Sequence, residues 1–226
     1  MEFITTVLRF FQNGGPFMYP IALVLVVGVA VALERWLYLT HAKSANRKAF
    51  QQLMPLLKKR DYAGVMKLGQ TSRAPIARII SAGVARMSQS QRRDDIELAM
   101  EEGVMEAMPR LEKRTPYLAT LANIATLLGL LGTIIGLIAA FTAVADADPA
   151  EKANLLSASI SVAMNTTAFG LMSAIPLLLF HATLQTKTTE IIDSLEMAGV
   201  KCLNLMGVGT AQRASGKPGS EPSAQA

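Results

Sequence analysis

The sequence predicts an all-α integral membrane protein with three transmembrane helices and a helical region outside the membrane. Of its 226 residues 51% are hydrophobic and 17% charged, with a mean hydropathy of +0.32. That is too apolar for a disordered chain and too poor in charge for an ordinary water-soluble domain. The apolar residues come in three nearly uncharged runs, residues 16–39, 117–145 and 155–185, each longer than the roughly 18 residues needed to cross about 30 Å of hydrocarbon. Finally, 15 of the 22 Lys and Arg fall between residues 40 and 116, the bias of a loop on the cytoplasmic side. The net charge of +5 is therefore a topology signal, and no nucleic-acid partner is expected.

Residues 1–15 open the chain. Phe3, Ile4, Val7, Leu8, Phe10 and Phe11 recur at helical spacing, which predicts a short amphipathic helix lying at the outer interface. Gly14-Gly15-Pro16 would end it. With no basic leader and no small-residue cleavage site, the first span, residues 16–39, is expected to remain as an anchor. It closes on Glu34-Arg35-Trp36-Leu37-Tyr38. Trp36 and Tyr38 suit the headgroup level, Arg35 can extend its head to water, and Glu34 is expected to pair with Arg35 or another basic neighbour.

Residues 40–116 form the cytoplasmic loop. Phe50, Leu53, Met54 and Leu57, then Ile76, Ile79, Ile80 and Val84, then Ile96, Leu98, Met100, Val104 and Met108 mark amphipathic helices. Asp94 and Asp95 sit where a helix dipole favours acids, and Pro55, Pro75 and Pro109 are read as breaks or kinks. Too short for a large core of their own, these helices should form a collar on the cytoplasmic extensions of the spans.

In the second span, residues 117–145, Gly129, Gly132, Thr133, Gly136 and Ala140 are spaced by three or four. Small groups thus line one face, as helices that pack closely in lipid require. The connector, residues 146–154, begins Asp146-Ala147-Asp148 and is mainly acidic. It is placed outside, on the periplasmic side. The third span, residues 155–185, carries Ser157, Ser161 and Asn165 on one side and Ser159, Ala163, Thr167, Gly170 and Ala174 roughly opposite, at about 100° per residue. Small or polar groups all round suit a helix packed between neighbours or lining a cavity, and Pro176 introduces a kink. At about 30 residues, or roughly 45 Å, the second and third stretches outrun the bilayer and should extend into the cytoplasmic region. Residues 186–212 follow as a cytoplasmic helix and residues 213–226, rich in Ser, Gly, Pro and Ala, as a disordered tail.

A lone cysteine, Cys202, rules out an intramolecular disulfide, and no Cys/His cluster has metal-ligand spacing. No metal or cofactor is expected. His41, His181 and Cys202 supply no nucleophile–base constellation, so the chain is not read as an enzyme. No Asp, Glu, Lys or Arg occurs in residues 117–145 or 155–185. A proton or ion relay needs a titratable carrier at depth, so if these helices line an ion path the carboxylate comes from another protein.

The run Leu128-Gly129-Leu130-Leu131-Gly132-Thr133-Ile134-Ile135-Gly136 resembles the MotA/TolQ/ExbB proton-channel family, as do Ala163-Met164-Asn165-Thr166-Thr167-Ala168-Phe169-Gly170-Leu171 and Ala174-Ile175-Pro176. Three spans and this length resemble its ExbB/TolQ branch. The resemblance implies an oligomeric ring, a homopentamer around two copies of an ExbD/TolR-like single-span partner whose transmembrane Asp carries the proton. It implies a bacterial inner-membrane stator, N-terminus periplasmic and C-terminus cytoplasmic, that uses the proton motive force to energise a TonB/TolA-like transducer or related envelope machinery. Thr133 and Thr167 match the family's pore-facing threonines, with Thr166 and Asn165 beside them in the implied pathway. Gly129, Gly132, Gly136, Gly170 and Pro176 are the helix-packing positions. One departure is Val162, five residues before Thr167, where ExbB and TolQ proper carry glutamate; it points to a paralogue serving another transducer, or a gliding or secretion motor. The rival expectation is a non-conducting oligomeric membrane scaffold that assembles through the same small-residue faces; on either reading membrane lipid is an expected partner.

Overall fold

The computed structural model describes residues 14–90, 92–145 and 147–206. The expected interfacial helix of residues 1–15, apart from its last two residues, and the tail of residues 213–226 lie outside them. Among the described residues the chain is helical with no strand: α1 Met18–Lys58, α2 Tyr62–Thr71, α3 Pro75–Met87, α4 Arg93–Glu112, α5 Thr115–Ala145 and α6 Lys152–Leu205. Among the described residues three helical stretches are long and apolar enough to cross a membrane: α1, α6 and the stretch Arg93–Ala145, whose apolar part is α5. Side chains such as Leu23, Leu127, Ile138 and Leu179 are more than 60% exposed, which suits a hydrocarbon surrounding and not water.

Backbone contacts divide the chain into two compact units. The first is Met1–Tyr38 with Glu112–Lys187, and the second is Leu39–Leu111 with Thr188–Ala226. Residues of α1 and α6 therefore enter both units. The third apolar stretch and the helix expected after it are one continuous helix, because nothing between Gln185 and Leu205 interrupts it. Between α4 and α5 the break is two residues, Lys113 and Arg114, with Arg114 at φ 68°.

In the first unit α1 and α6 meet through a small residue. A side chain on Gly28 would run into the Leu177 side chain, at 2.6 Å from Cδ2, and Ala32, one turn on, is 2% exposed. The α5–α6 contact is closer still and is described with the site. Pro176 does not interrupt α6, and it lies on the exposed side of the helix, outside the packing seam.

The second unit is helical and has its own core. Leu53, Leu57, Ile76, Ile79, Ile80, Val84, Ile96, Met100 and Val104 are all buried. Leu98, two residues from Ile96 and so on the opposite side of α4, is 56% exposed. Of the three prolines read as breaks, only Pro75 bounds a helix, at the first position of α3, where its missing N–H costs nothing. Pro55 and Pro109 sit inside α1 and α4, each three residues before the C-terminus, and neither breaks its helix. What ends α1 is a reversal at Arg60, φ 56°: Asp61 N–H donates to Leu56 O at 2.9 Å and Arg60 N–H to Leu57 O at 3.0 Å. This is the paired bonding that closes a helix through a left-handed residue. Asp61 then caps α2, accepting from Gly64 N–H at 2.9 Å. Gly69 of α2 packs against Ser81 of α3, and Asp94 and Asp95 occupy the first turn of α4.

Candidate functional site

The site lies within the first unit, where α5 and α6 touch backbone to backbone. A Cβ on Gly129 would stand 3.3 Å from the Cα atoms of both Gly170 and Thr167; one on Gly170 would stand 2.8 Å from the Ala125 carbonyl oxygen. One on Gly136 would be 2.9 Å from Ala163 Cβ, and one on Gly132 would strike the Thr166 methyl group. These four glycines form the α5–α6 seam. Their fitness lies in the missing side chain, since packing in lipid rests on close approach.

Closeness of the backbones brings Thr133 and Thr167 together. Thr167 Oγ1 donates to Gly129 O at 2.8 Å across the seam, Thr133 Oγ1 lies 3.2 Å from the same oxygen, and the two hydroxyls are hydrogen-bonded to each other. Each hydroxyl has one proton to donate and two lone pairs to accept with. Three contacts thus share two protons, so they cannot all be made at once. One hydroxyl can redirect its proton, or accept one, while the other keeps Gly129 O satisfied. Both threonines are only partly buried, so a water or a group from another chain can reach them. None of the side chains here is charged.

Thr166 and Asn165 stand apart from this pair. Thr166 is 2% exposed, and its hydroxyl faces Gly14 O at 2.6 Å and Val162 O at 3.1 Å. It ties the segment before α1 to α6. Asn165 is partly exposed and, two residues from Thr167, lies about 200° around the helix from it. Val162, where the resemblance expects a carboxylate, borders a cleft of about 250 Å3 with Gly14, Gly15 and Ser159.

Toward the other end of the first unit lies a belt of aromatic and basic groups. Glu34 pairs with Arg114 at 3.4 Å, both side chains about half exposed. Lys187 Nζ sits 3.3 Å above the Trp36 ring and the Arg35 guanidinium 4.7 Å above that of Tyr38. Arg35 is 3% exposed, which corrects the expectation that its head extends to water: it folds onto Tyr38, where the ring face attracts a cation.

Reasoning from sequence missed Gly28, although its spacing of four from Ala32 was a readable signal for close packing. Ser173, one of the hydroxyl residues of the third span, was not singled out for a role; it is 1% exposed and its hydroxyl has no partner among the described residues. No sequence signal marked the Gly14 carbonyl as the partner of Thr166. In the second unit Cys202 is fully buried, and burial pushes its thiol up to about 12.

Comparison with known proteins bears on this seam directly. The profile of the MotA/TolQ/ExbB proton channel family matches residues 71–197, which include all of α5 and most of α6. A putative biopolymer transport protein ExbB homolog of Methanothermobacter thermautotrophicus is 30% identical over 203 residues, covering 87% of this chain and 69% of that protein. A putative biopolymer transport protein ExbB-like 3 of Synechocystis is 27% identical over 168 residues, 74% and 79% of the two chains. The Tol-Pal system protein TolQ of Pseudomonas aeruginosa is 26% identical over 189 residues, 76% and 81%. With a family match across more than half its length, and similarity to ExbB and TolQ proteins along most of theirs, this multi-pass membrane chain belongs to the MotA/TolQ/ExbB proton channel family, in its ExbB/TolQ-like branch, a family of channel and transport subunits and not of enzymes.

Proposed function

We propose that the chain is the channel-forming subunit of a proton-driven stator in a bacterial inner membrane, N-terminus periplasmic and C-terminus cytoplasmic. Five copies surround two copies of an ExbD/TolR-like single-span protein. The proton motive force then energises a TonB-like transducer or related envelope machinery, the charge moved being worth about 2.3 kcal/mol per 100 mV. The observation that carries this reading is the Thr133–Thr167 hydroxyl pair on the Gly129 carbonyl, accessible and free of fixed charge.

A pair of this kind cannot carry a proton by itself, because a hydroxyl does not ionise at physiological pH. It can hydrogen-bond a carboxylic acid or its water in either protonation state, donating to the carboxylate and accepting from the acid. The titrating group is the transmembrane Asp of the partner. Asn165, on the far side of α6, is available to a neighbouring copy. Thr166 fixes the segment entering α1, and the glycine seam holds α5 and α6 at the spacing the hydroxyl pair needs.

The test is proton flux into liposomes holding the chain with its single-span partner, followed by a pH-sensitive dye. Thr167→Val keeps the shape and removes the hydroxyl; it should lower flux at least tenfold while native mass spectra show unchanged assembly. Thr167→Ser should restore most of the flux. Undiminished flux in Thr167→Val would refute the pore role. Intact assembly with no flux in the unaltered complex, under either a proton or a sodium gradient, would favour the scaffold.

A further inference from the structure

We propose that the second unit carries a contact through which copies of this chain join head to tail: a groove between α4 and α6 of one copy takes α2 of the next. The contact rests on the proposed assembly in needing several copies, and on neither their number nor conduction.

The groove has a volume of about 440 Å3 and runs along α4 from Glu97 to Met108, about 17 Å at 1.5 Å per residue, opposite α6 from Leu195 to Leu203. Met100, Val104 and Leu203 are its buried floor, while Met105 and Val200 are 65% and 47% exposed. Glu97 and Glu101 stand on the α4 wall and Glu196 on the α6 wall, and none has an ion-pair partner among the described residues. Along its whole length α4 carries seven acids against two basic residues. A helix so charged does not lie in hydrocarbon, so lipid tails do not cover Met105 and Val200. Exposed apolar groups rimmed by acids mark a contact with protein, and methionines suit a surface that must adapt to its partner.

Charge decides what covers the groove. Two such grooves meeting across a two-fold axis would set like charges together, so the groove is not its own complement. A head-to-tail contact needs a basic face elsewhere on the same chain, and the second unit has one. Residues 58–73 hold five basic residues and one acid, and that acid, Asp61, is engaged in capping α2. Val65 and Gly69 are the buried side of α2. Tyr62 and Met66, one turn apart, are half-buried beside an outer hollow shared with Met87, and Lys67 is exposed. Lys59, Arg60 and Lys67 have no ion-pair partner among the described residues. With ten residues α2 is about 15 Å long, a match for the groove. Laid there, it offers Tyr62 and Met66 as apolar anchors and its flanking cations to the glutamates, as an amphipathic helix does in a groove. The two faces are also separate. Between them lies α3, with Ser81 against Gly69 of α2 and Ile79 against Gly103 of α4. Distinct faces are what a heterologous contact requires if it is to close a ring.

The experiment places thiols on both faces with Met66→Cys and Met105→Cys, the chain's own Cys202 being buried. Full-length protein in detergent is treated with a short bismaleimide and resolved on SDS gels, and native mass spectra of the untreated sample count the copies. The doubly substituted chain should give a ladder extending beyond dimer, and each single variant a monomer band. Adding Glu97→Lys with Glu101→Lys, or Lys59→Glu with Lys67→Glu, should cut the ladder about tenfold, since like charges in contact are costly. All four together should restore it. Several copies without a ladder would overturn the contact and leave the assembly standing; a ladder with a copy number other than five would do the reverse, and a monomer would overturn both. Dimers from Met105→Cys alone would show the groove meeting itself, and cross-links to the single-span partner would show a different occupant. A ladder indifferent to both charge reversals would remove the match that selects α2. Each of these three results overturns the proposal.

Discussion

A methyl group added at Gly170 tests whether the α5–α6 seam is as tight as its geometry requires. The new Cβ would lie 2.8 Å from Ala125 O and 3.0 Å from Gly129 Cα, both backbone atoms of α5 that no rotamer change can move aside. Ordinary contact lies at roughly 3.5 Å, so the helices must part by about 0.5–1 Å. Overpacking of this kind costs about 1–3 kcal/mol, partly offset by the roughly 0.5–1 kcal/mol that Ala gains over Gly within a helix. The net loss expected for Gly170→Ala is about 1–2 kcal/mol. Gly199→Ala, also in α6, is the internal control, since its Cβ would meet only Met100 Sδ at 3.8 Å, and it should gain up to about 1 kcal/mol. Equilibrium unfolding in mixed detergent–SDS micelles, followed by circular dichroism, would read the two. They should differ by about 2 kcal/mol in opposite directions. Equal stability would refute the packing account. Parting the helices would also stretch the Thr167–Gly129 hydrogen bond from 2.8 Å toward the limit of such bonds, so Gly170→Ala should lose flux as well.

Further outcomes follow from three single residues. Cys202, buried and with its thiol pushed up to about 12, should resist iodoacetamide at pH 8 in the folded protein and react at once in SDS, because the thiolate is the nucleophile; mass spectrometry of the alkylated protein checks this. Since the folded thiol titrates above the unfolded one, that group's stabilisation is complete below about pH 9 and lost between about pH 9 and pH 12, which pH-dependent unfolding would register. Ser173→Ala removes a buried hydroxyl that has no partner, and should be neutral or stabilising by about 1 kcal/mol. Arg60→Gly relieves a side chain at φ 56° and should stabilise by about 0.5–1 kcal/mol, both read from the same micelle titration.

The spans and the collar faces could be read from sequence because each rests on a local signal, an uncharged run or a repeat of three and four. Ile76, Ile79, Ile80 and Val84 are buried together because a 3.6-residue period leaves them no other face. What could not be read is which side of α6 does what. Small and polar residues surround that helix, so helical period does not tell Thr166 from Thr167; the family resemblance alone singled out Thr167. Both touch α5, but Gly129 and Gly170 set the rotation of α6 so that the Thr167 hydroxyl meets the Gly129 carbonyl, while Thr166 lays its methyl against Gly132 and its hydroxyl against Gly14. Asn46 escaped for a similar reason: its partner, Ile76, lies 30 residues away, and nothing in a basic, polar stretch marks one amide as buried.

At Gly129 packing and chemistry meet in one residue. Without a Cβ it lets α6 come close, and because α6 is close its carbonyl accepts a hydroxyl proton from the other helix at 2.8 Å as well as lying 3.2 Å from Thr133 Oγ1 on its own. A larger residue would therefore remove the spacing and the hydrogen-bond pair in one step, even though it left the carbonyl and both threonines in the sequence. The hydroxyls are also constrained by number: with two protons for three contacts, the cluster always has a lone pair uncommitted. An apolar seam would pack as well without offering that site. Replacing either threonine by valine should therefore leave the helices in place, whereas filling Gly129 should disturb both, and that asymmetry separates a seam built to hold helices together from one that also presents a hydroxyl pair.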